Sequence, residues 1–222
     1  MAACKYCGCS SWFFALSSEK LCAACEPLVK MDVEQRRQLV EDSAKAAEQT
    51  LNPHSKIIRM KSIVENLDVL ADYEKKGIET LKGKAGSRQK HTQENLDALI
   101  LQTARAELDE TLTAVRKKKA PEAKIKLLSA FLVKLEEYKD HPQHREKIRI
   151  LEKKVRNTTY RIQLSSHLEH ARRAEKAGET ELALKNYRDA LNYLKSTDDD
   201  SEEKAGHLQS IESKLKALSK PS

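Results

Sequence analysis

Two short stretches decide how this chain is read: Cys4-Lys5-Tyr6-Cys7-Gly8 and Leu21-Cys22-Ala23-Ala24-Cys25-Glu26-Pro27. Together they spell Cys4-x2-Cys7-x14-Cys22-x2-Cys25. A Cys-x2-Cys pair puts two sulfurs on one tight turn. Two such pairs, with a hairpin's length of chain between them, supply the four soft ligands of a closed tetrahedral zinc site. Gly8 suits the last position of the first turn, where a side chain would crowd the metal. Trp12, Phe13 and Phe14 lie between the pairs and can cover the site. Zn2+ is therefore expected in a structural role, on Cys4, Cys7, Cys22 and Cys25. A redox pair or an unmetallated cluster is the alternative. Cys9 is the odd cysteine, a bystander or a substitute for Cys7 in a different ligand set. A catalytic zinc is disfavoured, because it keeps an open position and usually takes His or carboxylate ligands.

This pattern resembles the zinc-ribbon and treble-clef fingers, with Cys4 and Cys7 as the first knuckle and Cys22 and Cys25 as the second. In a treble clef the second pair opens a helix, and Pro27 is consistent with a helix start just after Cys25. The resemblance covers residues 1–30 only.

Outward from the module, the rest reads as helix. The fold class is mainly α: a small N-terminal zinc finger followed by long helices in hairpins or a helical bundle. Charged residues make up 34% and aromatics 5% of the 222 residues, and only six Gly and five Pro occur. That balance suits long helices with thin apolar stripes better than one thick core. Asp32 is read as the cap of a helix to about Thr50, and Asn52-Pro53 as a break. A second helix is expected over 55–81, with Ile57, Met60, Val64, Leu67 and Ala71 on one side. Gly83 to Ser87 reads as a flexible break inside a linker over 83–92. A helical segment 31–82 precedes it and a helical hairpin region 93–159 follows.

In that region a helix over 93–119 carries Leu101, Ala104, Leu108, Leu112 and Val115. Pro121 suits the first turn of the next helix, with Ile125, Leu128, Leu132, Leu135 and Tyr138. After His141-Pro142, a helix to about Ala177 has Ile148, Leu151, Val155 and Ile162 in register. Gly178 is placed as its left-handed C-terminal residue. Helices over 180–196 and 202–218 complete a final region, 160–222. Such narrow stripes fit hairpins or coiled coils.

Within that last region, Ala171, Gly178, Ala183, Tyr187 and Ala190 resemble the small-residue and aromatic pattern of a tetratricopeptide repeat. With a third helix following, 160–218 is also similar to three-helix MIT domains. His167 departs from the repeat, which has a large aromatic there, no proline closes the unit, and one copy is too few for a solenoid.

The net charge of +7 permits an acidic partner or nucleic acid without requiring either. One basic cluster is Arg116, Lys117, Lys118 and Lys119, followed by Lys124 and Lys126. The other runs from Arg145 to Arg161 and includes Lys153 and Lys154. Acidic residues are interleaved, so solvated helix faces are the plainer reading, with nucleic acid as the alternative for Arg116, Lys117, Lys118, Lys119, Lys153 and Lys154. Asp198 to Glu203 reads as an acidic loop or cap. His141 with His144, and His167 with His170, lack metal-like partners. No phosphate-cradling glycine loop or nucleophile elbow occurs. No apolar run is long enough to span a membrane, and clustered rather than spread cysteines suggest an intracellular, cytoplasmic protein. The expected function is a non-enzymatic, zinc-containing adaptor that binds protein, a second copy of itself included. A nucleic-acid-binding or regulatory protein is the alternative.

Overall fold

The computed structural model describes residues 3–10, 15–82, 84–139, 144–196 and 202–219. Among them stand seven helices: α1 Cys25–Gln49, α2 Pro53–Lys75, α3 Ala85–Lys117, α4 Pro121–Glu137, α5 Arg145–Lys176, α6 Thr180–Lys195 and α7 Glu202–Leu218. The protein is mainly α. Among the described residues the only β pairing is an isolated antiparallel bridge between Leu16 and Cys22. No described helix is long and apolar enough to cross a membrane. The chain divides into two compact units, Met1–Arg105 and Ala106–Ser222.

In the first unit α1 and α2 pair as a hairpin. Asn52 caps α2 through its side-chain oxygen, which accepts from the Ser55 N–H at 3.1 Å, and Pro53 fills the first helical position. Val40, Ile63, Leu67, Leu70 and Ala71 form their shared core, joined by Ala85 from the start of α3. The buried side of α2 thus centres on Ile63, Leu67 and Leu70, with Met60 and Val64 at its half-buried margin.

Asp32 does not cap α1. The helix opens seven residues earlier, at Cys25, and the Asp32 carboxylate instead accepts from the Tyr73 hydroxyl at 2.7 Å and Arg36 Nε at 3.0 Å. Arg36 is the i+4 neighbour on the same helix, whereas Tyr73 is a tertiary donor that sequence spacing does not reveal.

Helix α2 ends six residues short of the expected Leu81. Gly77 takes φ +76°, its N–H donates to the Glu74 carbonyl, and the Ile78 N–H reaches back to the Tyr73 carbonyl at 2.9 Å. This is a Schellman ending, which glycine enters without a Cβ penalty. Helix α3 begins at Ala85, inside the stretch 83–92 read as a linker. The Glu74 carboxylate holds this connection: it accepts from Thr80 Oγ1 at 2.8 Å, the Leu81 N–H at 3.1 Å and the Ala85 N–H at 3.0 Å. Ala85 is fully buried. Further along α3, Leu96, Ile100 and Ala104 are buried.

In the second unit Leu108 and Val115 of α3 are buried, and Tyr138 at the end of α4 donates its hydroxyl to Glu107 at 3.1 Å. Pro121 opens α4 as expected. Leu128, Phe131 and Leu135 of α4 and Ile148, Leu151 and Val155 of α5 are buried where these helices pack together.

The rest of α5 packs with α6 and α7 around Leu164, Ala171, Tyr187, Ala190, Leu194 and Ile211. Ala171, Ala183 and Ala190 are fully buried, so small residues admit the close approach and Tyr187 fills the gap. The Tyr187 hydroxyl donates to Glu175 at 2.8 Å, and Lys214 of α7 meets the other oxygen at 2.7 Å. His167, the departure from the repeat pattern, lies against the Tyr193 ring at 5.8 Å, where Tyr160 also stacks. Gly178 has φ +76°, the left-handed ending expected of it.

Candidate metal centre

The module is built from two turns and a hairpin. In the first turn the Gly8 N–H donates to the Cys4 carbonyl at 2.8 Å, and the Cys4 N–H to the Cys9 carbonyl at 3.0 Å. Gly8 has φ +73°, which accounts for glycine there. No described protein atom lies within 4 Å of where a Cβ at Gly8 would stand. Between the pairs, the Ser17 N–H donates to the Leu21 carbonyl at 2.8 Å, and Ser17 Oγ accepts from the Leu21 N–H. The Lys5 N–H donates to the Lys20 carbonyl at 3.0 Å and ties the hairpin to the first turn. In the second turn the Cys25 and Glu26 N–H groups both donate to the Cys22 carbonyl, and Cys25 becomes the first residue of α1.

This arrangement brings the sulfurs of Cys4, Cys7, Cys22 and Cys25 within 4.8 Å of one another, with Cys7 and Cys22 at 3.9 Å. Metal–sulfur bonds of about 2.3 Å in a tetrahedron give sulfur–sulfur edges of about 3.8 Å. The four cysteines therefore fit a metal ion. Cys9 is not among the four; it is exposed and contributes its backbone carbonyl to the first turn. Among the described residues no other group of three or more His, Cys, Asp or Glu has this geometry.

The thiols are electrically unequal. The Cys7 and Cys22 backbone N–H groups point at the Cys4 sulfur and pull its pKa down to about 6. Cys25 is pushed up to about 12, first by its hydrogen bond to Cys22, then by burial and by the neighbouring sulfurs. Four sulfurs this close cannot all ionise without a cation to offset their repulsion. A divalent ion supplies that charge and displaces the remaining protons.

The module is not a free-standing bead. Cys4 and Leu21 share a buried cluster with Val29 of α1, Tyr73 of α2 and Ile78 just beyond it. Tyr6, between the first two cysteines, stacks on Tyr73 at 6.0 Å, and Lys76 lies 5.2 Å from the Tyr6 ring centre. Lys5 Nζ donates to the Gly77 carbonyl. The sequence could not place Tyr73 and Ile78 beside cysteines some seventy residues away.

A groove of about 520 Å³ opens beside this junction, lined by Tyr6, Leu28, Val69 and Tyr73 with Asp32, Arg36, Asp72 and Lys76. Burial opposes ionisation of Asp32, but the Tyr73 hydroxyl and Arg36 hold its carboxyl below the ordinary range. Burial first, and then the same contact, push the Tyr73 hydroxyl upward.

The basic residues fall into two different settings. Arg116 and Lys117 end α3, and Lys118 and Lys119 follow; all four are exposed. Cations there complement the negative end of the helix dipole. Lys153 and Lys154 are exposed in the first half of α5. His144, at the start of α5, is buried, and His170 is exposed. Trp12, Phe13, Phe14, Gly83, His141, Pro142, the segment Asp198 to Ser201 and the side chains of Glu202 and Glu203 lie outside the described residues.

Comparison of the chain with protein-family models, with curated proteins and with solved structures gives no match. Fold and site define a helical protein with a four-cysteine cluster able to hold a metal ion.

Proposed function

We propose that the protein is a non-enzymatic interaction adaptor whose N-terminal module holds structural Zn2+ and presents a protein-docking face. The observation that carries this reading is the exposed apolar side of α1. Leu28, Met31 and Leu39 are 61%, 65% and 42% exposed, and Tyr6, which lines the same groove as Leu28, is 44% exposed. The three α1 residues recur at helical spacing, so they lie along one side. Large apolar groups left together in water mark a site of association. Zinc is the metal that best suits four thiolates in a tetrahedron, and a set filled by four cysteines leaves no open position for substrate. The hairpin ending at Cys22 and the helix opening at Cys25 favour a treble-clef finger over a ribbon. Reduced thiolates of this kind suit an intracellular compartment.

The test is capture from native lysate, with and without nuclease, using the full chain and its Leu28→Asp/Met31→Asp variant. Protein partners should survive nuclease with the wild type and be lost with the variant, which keeps its zinc. Loss of all captured protein on nuclease treatment, or capture unchanged in the variant, would overturn the reading. Sedimentation of the purified chain distinguishes a second copy from a different partner.

A further inference from the structure

Residues 106–222 contain twenty-five Lys and Arg against twenty Asp and Glu, a net of +5. The seventeen residues Arg145–Arg161 alone carry seven of those cations against Glu146 and Glu152, also a net of +5. The positive charge of the second unit is thus concentrated on half of one helix.

Packing sorts these charges. Ile148, Leu151 and Val155 are buried. Glu152 keeps only 13% of its side chain exposed, and both its oxygens are occupied, by Lys139 at 2.8 Å and Arg156 at 2.7 Å. Glu146 is paired with Arg149 at 3.7 Å. On the outer side, Ile150, Lys153, Lys154, Asn157, Thr158 and Arg161 line a shallow groove of about 430 Å³. Lys147, Lys154 and Arg161 are each seven residues apart, hence on one side of the helix and about 10 Å from one to the next. Among the described residues no carboxylate pairs with Lys147, Lys153 or Lys154. Glu152 is thereby turned aside in three dimensions, while Glu146 stays exposed beside Arg149 at the start of the helix.

We infer that the outer face of α5 between Lys147 and Arg161 is a nucleic-acid-backbone interface, independent of base sequence. The kind of anion follows from what the face lacks. Ile150 is the one large apolar side chain exposed on it. An acidic peptide held there would rest on surface ion pairs, each worth about 0–1 kcal/mol. A nucleic acid carries a phosphate at every nucleotide and a condensed counterion layer, and release of those ions makes each Lys or Arg contact productive. Asn157 adds an amide donor for phosphate oxygens, whereas the Thr158 hydroxyl is already donated to the Lys154 carbonyl at 2.8 Å. Lys147, Lys153 and Lys154 are point charges on flexible stems that meet phosphates, so their contacts position the strand without selecting its sequence.

The inference is independent of the α1 docking face, and either can fail alone. Its test is fluorescence anisotropy of the full chain with a labelled mixed-sequence DNA duplex across a salt series. Wild type should bind in the non-specific range, roughly 10⁻⁴–10⁻⁶ M at physiological salt, and more tightly at low salt. In Lys153→Ala/Lys154→Ala the slope of log affinity against log salt should flatten by about two units. The control Lys185→Ala/Arg188→Ala removes the same charge from exposed positions on α6 and should keep the wild-type slope. A slope change of equal size in the control would reduce the effect to net charge and overturn the inference. So would failure to bind duplex in about 50 mM salt. Polyglutamate or anionic vesicles that displace the duplex at equal charge concentration would also refute it, in favour of an acidic protein or a lipid surface.

Discussion

Replacing Glu74 by Ala tests whether the α2–α3 connection is a fixed part of the first unit or a loose tether. The carboxylate accepts from the Thr80 hydroxyl and from the Leu81 and Ala85 N–H groups. These donors do not lose equally. Thr80 Oγ1 also lies 3.4 Å from the Leu70 carbonyl, so it keeps an acceptor. Leu81 is half-buried, and water can reach its amide, which limits the loss to an ordinary net hydrogen bond of about 0.5–1.5 kcal/mol. Ala85 is fully buried and opens α3, so its orphaned N–H bears the desolvation penalty of about 1–3 kcal/mol. The sum is about 2–4 kcal/mol. Hydrogen exchange at the Leu81 and Ala85 amides of the full chain reads it directly. Protection should fall about 30- to 1000-fold, because each 1.4 kcal/mol is a factor of ten. Glu74→Gln, which keeps one acceptor oxygen, should lose roughly half as much free energy, and Thr80→Ala less again. Unchanged protection at Ala85 in Glu74→Ala would refute the reasoning and restore the flexible linker.

The purified, reduced protein should contain one zinc per chain, and Cys22→Ser should release it. Because Cys4 shares a core with Tyr73 and Ile78, that variant should also lose exchange protection at the end of α2, while α5, α6 and α7 keep theirs; metal analysis showing no zinc with all four cysteines intact would sink the assignment. Acid should weaken the second unit through Glu175, whose carboxyl is held below its ordinary value first by Lys214 and then by Tyr187. A depressed carboxyl pKa stabilises the fold above the ordinary carboxylate range, and that contribution is lost as pH falls through the folded value. Glu175→Gln should therefore be less stable at neutral pH and show a flatter acid limb in urea titrations between about pH 6 and 3; parallel limbs for the two proteins would remove Glu175 from the account.

The features that the sequence determined by itself are local ones. Two Cys-x2-Cys turns fix their own sulfur spacing, so the four-cysteine cluster is legible without any knowledge of the helices. Asn52-Pro53, Pro121 and Gly178 mark helix ends because backbone sterics act within a few residues. The helical class follows from the same short-range periodicity. Tertiary structure decided everything that depends on which face meets which. A three-and-four stripe names a side of a helix only to within a neighbouring turn, and so α2 buries Ile63 and Leu70 where Met60 and Val64 also fit the pattern. Glycine and serine near 83–87 look like a linker, yet a carboxylate eleven residues before Ala85 ties the segment into a helix start. Tyr73 and Ile78 sit against the cysteine module because chain folding, not spacing, brings them there. Glu152 reads as an interruption in a basic run, and only its pairing with Lys139 on another segment turns it away from the outer face of α5. Each of these outcomes depends on contacts between residues far apart in the chain, where burial and ion pairing outweigh local preference.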